Sequence, residues 1–189
     1  MPDHNQTAPG ELEDVRRFIN TRSISNDTRE ATDALPGLAR APKLWQKEFP
    51  HRSLSRTDSL PRVQRLRDDL RSACRGEASS SEALNEWFNS AALGLKVQWV
   101  GGALQLDIEA SEGSFVGYLV AVAAKAIASG EWTRLKTCPD CQWAFYDHTR
   151  NGSKRWCGMT KGAPDGRACG TIAKVAAYRA RKARKDGVA

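Results

Sequence analysis

Apolar residues recur at helical spacing along most of the chain and at strand spacing in one place. Leu12, Val15, Phe18 and Ile19 are separated by steps of three and four, which predicts an amphipathic helix from Glu11 to about Thr21. The stretch Ser23 to Asp33 is rich in Ser, Asn and Asp and is expected to be a loop. Pro36 and Pro42 divide the next piece into short turns or helices, with Leu35, Leu38, Leu44 and Trp45 facing inward. A longer helix is predicted from Leu60 to Cys74, with Ser59 as its cap, Pro61 in its first turn and a stripe of Val63, Leu66, Leu70 and Ala73. Another follows the serines at 79–81, carries Leu84, Trp87, Phe88 and Ala91 on one face, and has Gly94 as its expected stop.

The period then changes to two. Val97 and Trp99, then Leu104, Leu106 and Ile108, alternate with Lys96, Gln98, Gln105, Asp107 and Glu109, and Gly101-Gly102 lies between the runs. That is a hairpin signal, because two glycines supply the positive φ angles of a two-residue turn. An apolar helix over 115–129, ended by Gly130, completes this part of the chain. Its greasy run is too short for a bilayer, which needs about 20 residues, so a buried helix is expected. No membrane association follows from it.

The fold class expected is α+β: a mainly α-helical N-terminal domain with one β-hairpin over 11–133, then a small module holding Cys138, Cys141, Cys157 and Cys169, whose spacing suits zinc binding, with a basic C-terminal helix over 134–189. Residues 1–10 are expected to be a disordered tail, polar and without the pattern of a secretory signal. The location expected is cytoplasmic.

Charge sharpens the division. The net charge is +7. Residues 134–189 hold 13 Lys and Arg against 4 Asp and Glu, whereas the remainder holds 16 against 18. The whole basic excess therefore sits with four of the five cysteines. In the N-terminal part, Asp68-Asp69 lies among Arg62, Arg65, Arg67 and Arg71, where a solvated face laced with ion pairs is expected. Cys74 is expected to be a small buried thiol. No nucleophile–base pair or phosphate loop is present in the sequence, so an enzyme is not expected.

Cys138-Pro-Asp-Cys141, Cys157 and Cys169 are the candidate metal ligands. Four soft thiolates in a short segment suit one structural Zn²⁺ held tetrahedrally. Disulfides are disfavoured in a reducing compartment, and a redox CxxC would want a strand–turn–helix setting. Iron–sulfur ligation by four cysteines stays open. His148 is a rival ligand, but a structural site closes at four, so it is expected to be exposed or hydrogen-bonded. The run Phe145 to Arg150 is expected to be a strand and turn over the metal. Trp143 and Trp156 are expected to pack around the site, and Asp147 to pair with Arg150 or Arg155 or to cap a turn.

The run Cys138-x-x-Cys141-x-x-x-Phe145-x-Asp147-x-Thr149-Arg150-Asn151-x-Ser153-x-Arg155-Trp156-Cys157-x-Met159 resembles the zinc finger of the CGNR family. Ala173-Lys174-Val175-x-x-Tyr178-Arg179-x-Arg181 fits the same pattern. Phe18-Ile-Asn-Thr-Arg22, Asp33-x-Leu35 and Leu44-Trp45 are similar to the ABATE domain that precedes it in that family. The resemblance implies a bacterial transcription regulator, with a stress-related N-terminal domain and a DNA-binding zinc finger. Two departures are visible. The chain reads Cys169-Gly170-Thr171-Ile172 where the family has its name-giving tetrapeptide, and Lys161 to Arg167 lengthens the link between the last two cysteines.

The segment after Cys169 contains no Pro and many alanines from Ile172 to Lys185, so a helix is expected. Lys174, Tyr178, Arg181 and Lys185 share one face, and Arg179, Lys182 and Arg184 widen it. Ile172, Val175, Ala176 and Ala180 are expected to pack against the zinc knuckle. Arg150, Lys154 and Arg155 in the preceding loop complete the candidate nucleic-acid surface. The major groove of DNA admits a helix, and phosphate neutralisation by Lys and Arg supplies sequence-independent affinity. An adaptor for RNA or for an acidic protein is the alternative.

Overall fold

The helices pack around one that is buried on nearly all sides. In the computed structural model, residues 6–25, 28–50, 52–111, 113–158 and 168–185 are described, Lys185 by its backbone alone. Helix α1 (Leu12–Asn20) leads into strands β1 (Arg22–Ile24) and β2 (Ala31–Asp33). Helices α2 (Leu35–Arg40), α3 (Pro42–Glu48), α4 (Leu60–Cys74) and α5 (Ser80–Ser90) follow, then the hairpin β3 (Leu93–Val100) and β4 (Ala103–Ala110). Helix α6 (Phe115–Ala128) runs into a 3-10 turn, Glu131–Arg134. Strands β5 (Leu135–Thr137) and β6 (Ala144–Tyr146) and helix α7 (Cys169–Lys185) complete the chain. The α+β class expected from the pattern is what the structure shows. Among the described residues no helix is long and apolar enough to cross a membrane.

Helix α6 is the hub. Ten of its residues are buried, from Phe115 to Ala126. Phe115 stands among Phe18, Trp45 and Phe49, with ring centroids 5.6, 4.7 and 5.0 Å away. Its N-terminal amides are capped from outside the helix: the carboxylate of buried Asp58 accepts from Phe115 N at 2.8 Å and Val116 N at 3.1 Å. Ser114 Oγ accepts from Gly117 N at 2.9 Å. These partners satisfy donors that a helix start leaves open. Gly130, at φ 80°, ends the segment as the sequence predicts.

Several expectations need correction. Ser23–Asp33 is not a plain loop: β1 and β2 pair antiparallel, Arg22 opposite Asp33 and Ile24 opposite Ala31. Polar composition concealed this strand pair because its side chains are mostly exposed. Leu44 is 55% exposed although Leu35 and Trp45 are buried. The side chain of Ser59 makes no cap bond; its carbonyl only accepts from Val63 N. Gly94 does not stop α5. The helix ends at Ser90, Ala92 takes the positive φ of 45°, and Gly94 lies in β3 opposite Glu109.

The arginines of α4 are only in part a solvated row: Arg65 is exposed and pairs with Asp69 and Glu86. Arg67 and Arg71 are buried. They occupy the spacing of the apolar stripe, four and eight residues after Val63. Arg67 binds both oxygens of Asp33, at 2.6 and 2.9 Å. Burial alone would raise the Asp33 pKa, but the Arg67 hydrogen bonds, the Leu35 amide and the Arg67 charge hold it below its ordinary value. Asp69 accepts from Trp87 Nε1 at 2.7 Å, which joins α4 to α5. Cys74 is buried as expected, and burial raises its thiol pKa.

Part of the expected tail is tied down. Ala8 is buried, its amide donates to Glu13 at 2.9 Å, and Gln6 Nε2 donates to Cys157 O at 2.8 Å. His4 lies outside the described residues, as does His51.

Candidate metal centre

The hairpin β5–β6 brings the first two cysteines into position. Thr137 pairs with Ala144, and the six residues between them form the knuckle. Its turn closes through Cys138 N to Trp143 O and Gln142 N to Cys138 O, both 2.9 Å. Gln142 takes φ 60°, a left-handed conformation that lets the chain reverse. Cys157 arrives from the loop after β6, and Cys169 is the first residue of α7.

The four Sγ atoms lie within 4.8 Å of one another. Cys141 and Cys157 approach to 3.4 Å, and Cys157 and Cys169 to 3.8 Å. A tetrahedral zinc–thiolate site with bonds of about 2.3 Å has sulfur–sulfur edges of about 3.8 Å. The arrangement fits one zinc ion. Chemistry agrees with geometry, because one thiolate discourages the others. Hydrogen bonds from Cys141 and Cys157 lower the Cys138 pKa, and that same contact raises those of Cys141 and Cys157. Burial raises that of Cys169. Four thiolates in this volume require a cation, and zinc supplies the charge that lets them coexist.

Phe145 is fully buried beside Cys138, Cys141 and Cys169, with Trp143, Trp156 and Cys157 half-buried against them. Both tryptophans therefore cover the site, as expected. His148 is exposed and hydrogen-bonds through Nε2 to Thr7 O at 2.7 Å, so it is no ligand of this group.

Asp147 organises the loop that delivers Cys157. It is fully buried and accepts from Thr149 N (2.9 Å), Thr149 Oγ1 (2.6 Å), Lys154 N (2.7 Å) and Lys136 Nζ (2.9 Å). It does cap a turn, but its ion-pair partner is Lys136, not Arg150 or Arg155. Burial alone would raise its pKa; those bonds outweigh it and hold the carboxyl well below the usual carboxylate range. Lys136 Nζ also reaches Gly152 O, and Arg134 Nη1 donates to Asp147 O at 2.9 Å and Thr149 O at 2.7 Å.

The centre is built onto the helical core. Leu135, Ala144 and Tyr146 belong to the main core. Arg71 crosses between the parts, donating to Ile19 O, Arg22 O and Gln142 O. Burial, with Arg67, Arg75 and Arg22 nearby, lowers its pKa to about 10, so it stays charged at neutral pH. Sequence reasoning missed these supports. For Arg71 a signal existed, its place on the apolar stripe of α4; for Asn20, which holds Ala144, none did.

The C-terminal helix starts earlier than expected, at Cys169. Gly170 N donates to Gly158 O at 2.9 Å, which fixes its first turn beside the metal loop. Beyond that it stands clear. Lys174, Tyr178, Arg179, Arg181, Lys182 and Arg184 are all exposed, and the side chain of Lys185 lies outside the described set. The expected packing of Ile172, Val175, Ala176 and Ala180 on the knuckle is not found: Ile172 and Val175 are each 42% exposed and the alanines are exposed. Trp143, Trp156 and Phe145 already cover the sulfurs. In the loop, Arg150 and Arg155 are exposed, whereas Lys154 is half-buried with Nζ 5.3 Å from the Phe145 ring. Met159 and Lys161–Arg167 lie outside the described residues.

A two-cysteine knuckle between two short strands, a third cysteine from the following loop and a helix that starts on the fourth define a zinc-finger module. Residues 134–182 match the family model of the CGNR zinc finger, so this segment is similar to that family. Among the curated proteins none matches the chain.

Proposed function

We propose that this protein is a zinc-binding, DNA-binding transcription regulator rather than an enzyme, with α7 as the element that enters the major groove. The N-terminal domain serves as its sensor or dimerisation unit. The observation that carries the reading is the state of α7. It holds six Lys and Arg and no Asp or Glu, and from Lys174 to Arg184 every side chain is exposed. A helix of 17 residues is about 25 Å long, enough to follow a groove and contact phosphates on both sides. Because its first residue is a metal ligand, zinc sets where the helix begins and how it is anchored. Arg150 and Arg155 flank the same centre and add backbone contacts.

The test is a fluorescence-anisotropy titration of the full zinc-loaded chain with mixed-sequence duplex DNA, at two salt concentrations and with an RNA competitor. Zinc-dependent binding that weakens steeply with salt supports the reading. Preference for RNA moves the function to an RNA adaptor. Absence of binding at low salt, or binding unchanged by chelation, overturns it.

A further inference from the structure

The hairpin β3–β4 turns its apolar face outward. Val97 pairs with Leu106, Trp99 with Leu104 and Leu95 with Ile108, so all six side chains lie on one face. Leu95, Val97, Trp99, Leu104 and Leu106 are between 62% and 70% exposed. Only the base of that face, Leu93 and Ala110, packs on the main core, and on the polar face Asp107 pairs with Lys125 of α6 at 2.8 Å and accepts from Gln98 Nε2 at 3.5 Å. A slip of one residue would exchange the faces. The register resists it, because Gly101 and Gly102 at φ 59° and 86° set the turn and Ser111 Oγ ties the base to Ala92 O. Outward exposure is thus built in.

We propose that this face is where a second copy of the chain docks, two hairpins packing face to face through Trp99, Val97, Leu95, Leu104 and Leu106. Area supports it. Five such side chains offer on the order of 600 Å², so a symmetric pair buries about 1,200 Å², the lower bound of a stable interface. A two-stranded ribbon alone is marginal in water, and a second apolar layer is what it lacks. Large apolar side chains are few outside the described set: Met1, Met159 and Val188.

Charge separates a second copy from a membrane. The hairpin's own charges are Lys96, Asp107 and Glu109, without the basic excess that draws a protein to anionic lipid. The chain outside 134–189 has a balance of −2, so two such parts meet with little repulsion, whereas the two basic modules would repel. The inference stands apart from nucleic-acid binding, and its test contains no nucleic acid.

The experiment is sedimentation velocity on the full, zinc-loaded chain in reducing buffer over a range of concentrations. The expected result is a reversible species of twice the 20.8 kDa chain mass. Leu106→Lys and Trp99→Ser, each made alone and checked by circular dichroism, should raise the dimer dissociation constant about tenfold or more, while Gln105→Lys on the other face should not. A second readout uses a conservative variant: the emission difference between wild type and Trp99→Phe should shift to the blue as the dimer forms. A wild-type monomer at all concentrations overturns the proposal. So does a dimer that Leu106→Lys leaves intact, or one whose formation leaves the Trp99 emission unmoved.

Discussion

The side-chain amide of Asn20 brackets the backbone of Ala144, its Oδ1 accepting from Ala144 N at 2.7 Å and its Nδ2 donating to Ala144 O at 2.9 Å. Asn20 ends α1 and Ala144 begins β6, 124 residues later. The pair does for the metal hairpin what a neighbouring strand would do, by satisfying a buried backbone donor and acceptor at once. Replacing Asn20 with Ala orphans the Ala144 amide. The expected cost is about 1–3 kcal/mol. For a chain of this size that is a fall of several degrees in the melting temperature, read by thermal unfolding of the zinc-loaded protein. An unchanged melting curve would mean that the bracket carries no net stability.

Metal content is the second expectation. The zinc-loaded chain should carry one zinc, measured by elemental analysis alongside protein concentration. Cys169→Ser should reduce it strongly, because three thiolates leave the tetrahedron open. In the same variant α7 loses its anchor, so helical content should fall in circular dichroism. Chelation of the wild type should reproduce that fall. Full zinc retention in Cys169→Ser would remove this residue from the ligand set.

Acid should act through Asp147 and Asp33. Both have folded pKa values below those of the unfolded chain. Each contributes stability that is fully present above about pH 4, the unfolded carboxylate value, and is lost as pH falls through the folded pKa. Asp147→Asn should therefore unfold at lower urea at pH 7, and should lose less on further acidification than wild type does. Acid also protonates the cysteines, so the quantity to read is the difference between the two proteins at each pH. Parallel pH curves would refute the role of Asp147.

Substitution on α7 should separate binding from folding. Lys174→Ala with Arg181→Ala removes two exposed cations, and the melting temperature should stay close to wild type, as for most surface changes. Duplex affinity should drop, and the slope of log K against log salt should shrink by about 0.9 for each phosphate that the protein no longer neutralises. An unchanged slope would place the phosphate-binding residues elsewhere.

Much of this was legible in the chain. The apolar stripe of α4, the alternation flanking Gly101-Gly102 and the run over 115–128 each state their element locally, because helix and strand periods are properties of neighbouring residues. The four cysteines were legible for a chemical reason: soft thiolates clustered in a short segment have few other uses. The strands at 22–24 and 31–33 were not legible, since short exposed strands carry no apolar alternation.

What the sequence determined by itself was the set of elements, the thiolate character of the metal ligands and the basic character of α7, all of which follow from local spacing and side-chain chemistry. Only the tertiary structure decided that Asn20 meets Ala144, that Arg71 joins three carbonyls from distant segments, and that the apolar face of β3–β4 looks outward. Alternation shows that a hairpin has two faces; that the base of the apolar one, Leu93 and Ala110, meets the core while Leu95 to Leu106 stay exposed depends on how the ribbon meets the rest of the fold. That choice is made by contacts between residues far apart in the chain, and local spacing holds no record of it.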